Sequence, residues 1–242
     1  MKKKFLLTKN FGFLFLLLVC CCIISYNIGS GNLSKNDLSA YADGIADSVR
    51  SVILDENKSL IIKSDLKSKL GLDEYTASIY APMINQSSML FNVDWKKIAS
   101  KIKVESNFDP FAESIPTRIY RSEKKESALG ILQIKPTTAK EICEDLDIEW
   151  RGERMLYNPA INIRLGTYYY AKMELILNGN FESAEKAYNV GLSGFKKGYY
   201  SEKHWQRVKY IYAMLREPED SSQINKDLER LTMNSKLNND EK

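Results

Sequence analysis

Histidine is nearly absent from this chain, because only one, His204, occurs among the 242 residues. A single histidine excludes any metal site that is built from several histidines. A nucleophilic mechanism that needs a histidine base would have to use that one residue. His204 falls at the start of the last predicted helix, where we expect a surface residue. No metal and no organic cofactor is predicted.

Cysteine is also scarce, and three of the four cysteines are adjacent at positions 20–22. Adjacent cysteines are poor disulfide partners and leave Cys143 alone downstream, so the chain is not a disulfide-stabilised scaffold. Cys143 lies on the apolar side of a helical pattern. We therefore expect it to be a small buried hydrophobic residue.

The chain carries little excess charge of either sign, with a formal net charge of +4. The four lysines of residues 1–30 account for a charge of that size by themselves. The rest of the chain has no concentrated basic face, which argues against a nucleic-acid partner. An apolar fraction of 44% suffices at this length for one medium domain with its own core.

Residues 1–30 have the organisation of an export signal. Lysines precede an uncharged, mostly apolar run over residues 11–24, which is 14 residues long. The apolar region of a signal peptide spans about 7–15 residues, whereas a membrane-spanning helix needs about 20. The pattern therefore predicts export. Simple secretion after cleavage and a short uncleaved anchor both stay open as alternatives.

The apolar run ends in the cysteine cluster, where residues 18–21 resemble a loose bacterial lipoprotein cleavage box. Such boxes usually carry a small residue directly before the modified cysteine, and Val19 or Cys20 at that place departs from this pattern. The candidates for lipidation are Cys20, Cys21 and Cys22. Lipidation would place the protein in the bacterial cell envelope, in the periplasm and tethered to a membrane.

Apolar residues recur every three or four positions along most of the chain, which is the period of an amphipathic helix. The spacing predicts one helix over residues 38–52 that ends at the polar stretch 55–58. Further helices are predicted to start at Asp73, Asp94, Pro136, Asn158, Asn180 and Glu202. Only residues 129–134 resemble a strand, and residues 115–127 are predicted to form a loop.

These elements predict a mostly α protein with four parts. Residues 1–30 are the leader, and residues 31–72 form an N-terminal helical extension. Residues 73–216 form the principal domain, which contains a small β element. Residues 217–242 are polar and form a solvated tail.

Glu105 continues the apolar stripe of the helix that starts at Asp94. It follows Ile98 by seven residues, a rotation of about 700°, which returns it to nearly the same face. A carboxyl group on the core side loses hydration, and the helix C-terminus carries partial negative charge, so both effects favour the protonated form. Such a group can act as a general acid toward a glycosidic oxygen. The alternative is a structural glutamate that pairs with Lys101, one turn earlier.

Four sequence blocks follow one another in the second half of the chain. They read ESNFDPFAES at 105–114, ALGILQIKPTTA at 128–139, NPAINIRLGTYY at 158–169 and AYNVG at 187–191. Together they resemble the signature of the soluble lytic transglycosylase family, whose domain is lysozyme-like. The resemblance covers residues 73–216.

The chain departs from this family pattern at a few positions. Ser127 stands where glycine is usual, Leu132 where methionine is common, and Val190 where alanine is usual. The segment between the first two blocks is longer than in the family, and the extra length falls at residues 116–126.

The resemblance implies a role for each matching residue. Glu105 would be the single catalytic acid and base. The substrate-binding residues would be Ser114, Gln133, Tyr169, Tyr188 and Asn189. Gly130 and Gly166 would be positions of backbone geometry or close packing rather than substrate contacts.

The activity implied by the resemblance is cleavage of the β-1,4 bond between N-acetylmuramic acid and N-acetylglucosamine in peptidoglycan, with formation of 1,6-anhydro ends. One carboxylate would suffice, because the C6 hydroxyl of the N-acetylmuramic acid attacks the anomeric carbon of that same sugar and no water is consumed. Asp109, the nearest other carboxylate, precedes a proline and is expected to serve a turn.

Two alternatives to this activity stay open. One is a muramidase of the same fold that uses water, and the other is a non-catalytic, peptidoglycan-binding envelope lipoprotein. In each case the expected partners are glycan strands and a membrane, and the chain is expected to be a monomer.

Overall fold

The computed structural model describes residues 35–118 and 125–217. The predicted export signal, the lipidation candidates at 20–22 and the tail from residue 218 lie outside the described residues. Part of the long segment 116–126 lies outside them as well.

Seven α-helices make up most of the described part of the chain. They are α1 (Lys35–Ser68), α2 (Glu74–Phe91), α3 (Trp95–Glu105), α4 (Pro136–Asp145), α5 (Pro159–Ile176), α6 (Phe181–Lys196) and α7 (Glu202–Arg216). A short 3-10 helix covers Glu153–Tyr157, and strand β1 (Thr117–Arg118) pairs antiparallel with β2 (Lys125–Glu126). The prediction of a mostly α fold with a small β element is confirmed.

α1 continues through the polar stretch 55–58, where the sequence pattern predicted a break, so that prediction is wrong. The stretch contains neither glycine nor proline, and its polar residues can continue a helix at modest cost. Among the described residues, those up to Glu56 and those from Asn57 onward form two separate units. In the second unit, α1 contributes Ile62 and Leu66 to the core, both fully buried.

Two aspartates set the starts of α2 and α3, as the sequence predicted. The Asp73 carboxylate accepts hydrogen bonds from the backbone N–H groups of Tyr75 and Thr76 at 2.9 and 3.0 Å. The Asp94 carboxylate accepts one from the backbone N–H of Lys96 at 3.0 Å. These bonds satisfy N–H groups that the first turn of a helix leaves without a partner.

The segment 129–134 forms a tight turn, so the prediction of a strand there is wrong. Gly130 and Gln133 have φ values of +75° and +48°, in the left-handed region. The chain therefore folds back, and Leu129 and Ile134 exchange backbone hydrogen bonds of 3.0 and 3.1 Å. The apolar run reflects the burial of this turn rather than an extended chain. The small β ladder lies within the predicted loop 115–127 instead.

The helices pack so that the end of α3 lies beside the start of α7. The Tyr212 hydroxyl, near the end of α7, donates to the Asp94 carboxylate at the start of α3, at 2.9 Å. The two helices are in contact along their length and therefore run antiparallel. α5 packs against α2 and α6, and fully buried Ile98 and Ile163 from α3 and α5 belong to the same core.

α6 bends at Gly191, the residue where the sequence predicted its end. Gly191 has φ 74° and ψ 158°, which are not helical values, and the helix then resumes to Lys196. Among the described residues, none of the helices is both long enough and apolar enough to span a bilayer.

Candidate active site

One cleft of about 460 Å³ contains all the residues that the resemblance implicated as catalytic or substrate-binding. Its lining includes Glu105, Ser114, Gln133, Tyr169, Tyr188 and Asn189. These side chains come from the end of α3, the loop after it, the turn at 129–134, α5 and α6. The four sequence blocks therefore meet at one place in the fold.

Glu105 is the last residue of α3, and its side chain is only 12% exposed. This position agrees with the apolar stripe that the sequence predicted. Lys101, the alternative partner one turn earlier, is fully buried and donates to Glu185 on α6. The proposed Lys101 pair therefore does not define the role of Glu105.

His204 is not the surface residue that the sequence predicted. Its side chain is 16% exposed, and its Nε2 atom lies 3.3 Å from Oε1 of Glu105. The reason is the antiparallel packing of α7 against α3, which brings the first turn of α7 to the last turn of α3. The spacing of His204 to Val208 and Leu215, four and eleven residues later, was the available signal, because it places His204 on the buried face of α7.

Tyr188 forms a buried wall of the cleft next to Glu105. Its hydroxyl donates to the carbonyl oxygen of Leu132 at 2.9 Å, and its ring centroid lies 5.2 Å from that of Tyr169. Burial raises the pKa of Tyr188 well above its usual value, and the nearby negative charge of Glu105 acts in the same direction. Burial also raises the pKa of Tyr169. Both rings therefore present neutral phenols to the cleft.

Ser114 and Gln133 line the same cleft and are bonded to the backbone around it. The Gln133 side-chain amide donates to the carbonyl oxygens of Ala112 and Gly130 at 3.0 and 2.8 Å. The Ser114 hydroxyl accepts a hydrogen bond from the backbone N–H of Ala128 at 2.8 Å. These bonds fix both side chains at the cleft, while their contacts with a sugar stay predictions.

Asn162 is a buried residue of the third block to which the sequence analysis assigned no role. Its side-chain oxygen accepts from the backbone N–H of Leu132 at 2.8 Å. Its side-chain amide donates to the carbonyl oxygens of Leu129 and Leu156 at 2.9 and 2.8 Å. This one side chain therefore fastens the turn that carries Gln133 to α5.

Glu126 is a second carboxylate in the cleft lining that the sequence analysis did not single out. Both of its oxygens are bonded to Thr137, Oε2 by the backbone N–H at 3.2 Å and Oε1 by the hydroxyl at 2.5 Å. It therefore caps the first turn of α4. Asp109 accepts from the backbone N–H of Phe111 at 2.9 Å, which confirms its predicted role in a turn.

The two motif glycines are positions of close packing, as predicted. A Cβ atom on Gly130 would lie 2.1 Å from the carbonyl oxygen of Leu156. A Cβ atom on Gly166 would lie 2.5 Å from Cδ1 of Leu132 and 3.0 Å from the hydroxyl of Tyr188. Gly166 thus allows α5 to approach the wall of the cleft.

Gly166→Ala is expected to lower the free energy of unfolding by about 1–3 kcal/mol, because the added methyl group overpacks the contact with Leu132 and Tyr188. Urea unfolding followed by circular dichroism measures this change. Gly44→Ala is the control, since a Cβ atom there meets nothing within 4 Å. Equal stability of the two variants would contradict the prediction.

Comparison with known proteins gives one family for this chain. The family model described as "Transglycosylase SLT domain" matches residues 82–211, more than half of the chain.

Within the described residues there is no group of three or more histidine, cysteine, aspartate or glutamate side chains that could hold a metal ion.

Two curated relatives carry the name "Membrane-bound lytic murein transglycosylase C". The protein from Glaesserella parasuis serovar 5 (strain SH0165) is 29% identical over 128 residues, which is 52% of this chain and 32% of that protein. The protein from Actinobacillus pleuropneumoniae serotype 5b (strain L20) is 28% identical over 136 residues, 55% of this chain and 34% of that protein. The match therefore spans about a third of the length of these relatives.

Similar solved structures include an inactive mutant of the lytic transglycosylase Slt from Pseudomonas aeruginosa. It has 21% sequence identity and a TM-score of 0.45, and the match covers 58% of this chain and 27% of that one. The 70 kDa soluble lytic transglycosylase from Escherichia coli has 18% identity and a TM-score of 0.42, with 69% and 27% of the two chains covered.

Proposed function

Because the chain belongs to the transglycosylase SLT domain family, we propose that it is a lytic transglycosylase that cleaves the glycan strands of peptidoglycan. The observation that carries this proposal is the position of Glu105. Its carboxyl group is largely buried yet lines a cleft that also contains Gln133 and Tyr188. A shielded carboxyl at the edge of a groove suits proton transfer to a bound polymer.

The reaction needs one carboxyl group that acts twice. Glu105 first donates its proton to the oxygen that bridges N-acetylmuramic acid and N-acetylglucosamine, and the bond from that oxygen to C1 breaks. C1 belongs to the N-acetylmuramic acid residue, and the acetamido group of that same sugar stabilises the positive charge on C1. The ionised Glu105 then accepts the proton of the C6 hydroxyl, whose oxygen bonds to C1. The product is a 1,6-anhydro end, and Glu105 is protonated again.

The lining of the cleft supports this assignment of substrate. Apart from Glu105, its polar side chains include the neutral Ser114, Asn189 and Thr138, which suit sugar hydroxyl and acetamido groups. The tyrosine rings offer apolar surface to a sugar face. Glu126 is already bonded to Thr137 through both oxygens, which supports a mechanism that uses Glu105 alone as acid and base.

Digestion of purified peptidoglycan, followed by mass spectrometry of the released muropeptides, tests this function. We expect 1,6-anhydro ends, which are one water lighter than the reducing ends left by hydrolysis. Reducing ends would contradict transglycosylation and identify a muramidase. Retention on the peptidoglycan without any release would identify the non-catalytic binding protein instead.

We also propose that the chain acts in the bacterial cell envelope, tethered to a membrane through the cysteine cluster at 20–22. The name of the two curated relatives, which describes them as membrane-bound, supports this location. The apolar run that precedes the cluster supports export.

A further inference from the structure

The imidazole of His204 contacts the Glu105 carboxyl group from outside the cleft. Its Nε2 atom lies 3.3 Å from Oε1 of Glu105, and His204 is not among the residues that line the cleft. Nε2 is buried and has no hydrogen bond of good geometry, so this carboxyl oxygen is the polar atom that the structure places against it. A buried nitrogen that faced only apolar atoms would be costly.

Helix packing, rather than a loop, determines where the imidazole lies. The Ser201 hydroxyl accepts a hydrogen bond from the backbone N–H of His204 at 3.2 Å and caps α7. The next residue, Trp205, is buried with its ring centroid 5.0 Å from that of Phe181. The contact with Glu105 therefore belongs to a packed junction of α3, α6 and α7.

The charged groups around this junction are paired with one another. On α6, the Glu185 carboxylate accepts a hydrogen bond from the Lys101 ammonium group. The same carboxylate interacts electrostatically with both His204 and Glu105. Lys186 lies between Glu182 and Glu202, at 2.6 and 2.8 Å. None of these ion pairs includes Glu105, whose Oε1 atom instead lies 3.3 Å from Nε2 of His204.

We propose that His204 is a positioning residue for Glu105, an inference that rests on the proposed function. The imidazole holds Oε1 and leaves the other carboxyl oxygen for the reacting groups in the cleft. With its proton on Nε2, the imidazole also faces the negative charge that forms as Glu105 gives up its proton. Because that interaction is stronger in the transition state than in the ground state, it acts on kcat rather than on KM.

His204→Leu is expected to lower kcat on soluble glycan oligomers by about 10–100-fold with KM within about twofold, because a donor to a developing carboxylate is lost. His204→Gln retains a side-chain N–H donor and is expected to recover most of that loss. Lys203→Gln, at the exposed neighbouring position, serves as the control and keeps the wild-type kcat. A His204→Leu variant with wild-type kcat, or a Gln variant no better than the Leu variant, overturns the proposal.

A second measurement needs no activity at all. His204 is the single histidine of the chain, so its imidazole ¹⁵N resonances need no assignment in spectra of histidine-labelled protein. Glu105→Gln is expected to shift these resonances, whereas Asp109→Asn leaves them in place. Unshifted resonances overturn the contact even if the chain is active. A wild-type chain that cuts no glycan overturns the proposed function, and with it the role of His204.

Discussion

Glu105→Gln is expected to lower the rate of glycan cleavage by about 10²–10⁴-fold, the contribution typical of a general acid or base. Glutamine has nearly the same shape but carries no proton that it can give to the bridging oxygen. It also cannot accept the proton of the C6 hydroxyl in the second half of the reaction. Release of muropeptides from purified peptidoglycan over time measures the loss.

The matched control for this variant is Asp109→Asn. Asp109 is the nearest other carboxylate in the sequence, is exposed, and accepts a backbone hydrogen bond within its own turn. We expect the Asp109→Asn variant to leave the cleavage rate unchanged.

The Glu105→Gln variant should also bind peptidoglycan as the wild type does, since the lining of the cleft is otherwise intact. Cleavage at the wild-type rate by Glu105→Gln would rule out the mechanism.

Glu185→Leu is expected to lower the free energy of unfolding by about 3–5 kcal/mol, because it leaves the charge of Lys101 buried without a partner. The side chains of Lys101 and Glu185 are both fully buried and bonded to each other. The Lys101 ammonium also lies 3.8 Å from the ring centroid of Tyr188. Burial raises the pKa of Glu185, and the positive charge of Lys101 opposes this shift.

The double variant Lys101→Met with Glu185→Leu is expected to recover most of this stability, because replacing both partners by apolar residues removes the cost of keeping charges from water. Urea unfolding of the wild type, both single variants and the double variant completes the cycle. Arg151→Ala is the control, since its pair with Glu149 is exposed and should contribute nothing measurable. A loss from Glu185→Leu no greater than that of Arg151→Ala would contradict the prediction.

This ion pair also links stability to the site. Lys101 lies one turn before Glu105 on α3, and Glu185 lies one turn before Tyr188 on α6. The pair therefore joins the two helices directly behind the cleft. We infer that its single variants would disturb the wall formed by Tyr188 as well as the core.

Much of the fold was predictable because its causes are local. Asp73 and Asp94 cap α2 and α3 by accepting hydrogen bonds from backbone N–H groups only two or three residues further along the chain. Gly191 interrupts α6 through its own φ and ψ. Family membership, inferred from four blocks, was confirmed by the match to residues 82–211. The turn at 129–134 was mistaken for a strand because buried turns and buried strands both carry apolar runs.

By itself, the sequence determined where most helices start, the caps at Asp73 and Asp94, the family and six of the residues that line the cleft, because short-range spacing and contiguous motifs encode them. The tertiary structure alone decided which largely buried side chains, Lys101, Glu185 and His204, contact each other or Glu105 next to that cleft. Lys101 and Glu185 are 84 positions apart, and His204 comes from a later helix than either. Such pairs depend on how one helix is aligned along another, and no pattern within a single helix specifies that alignment.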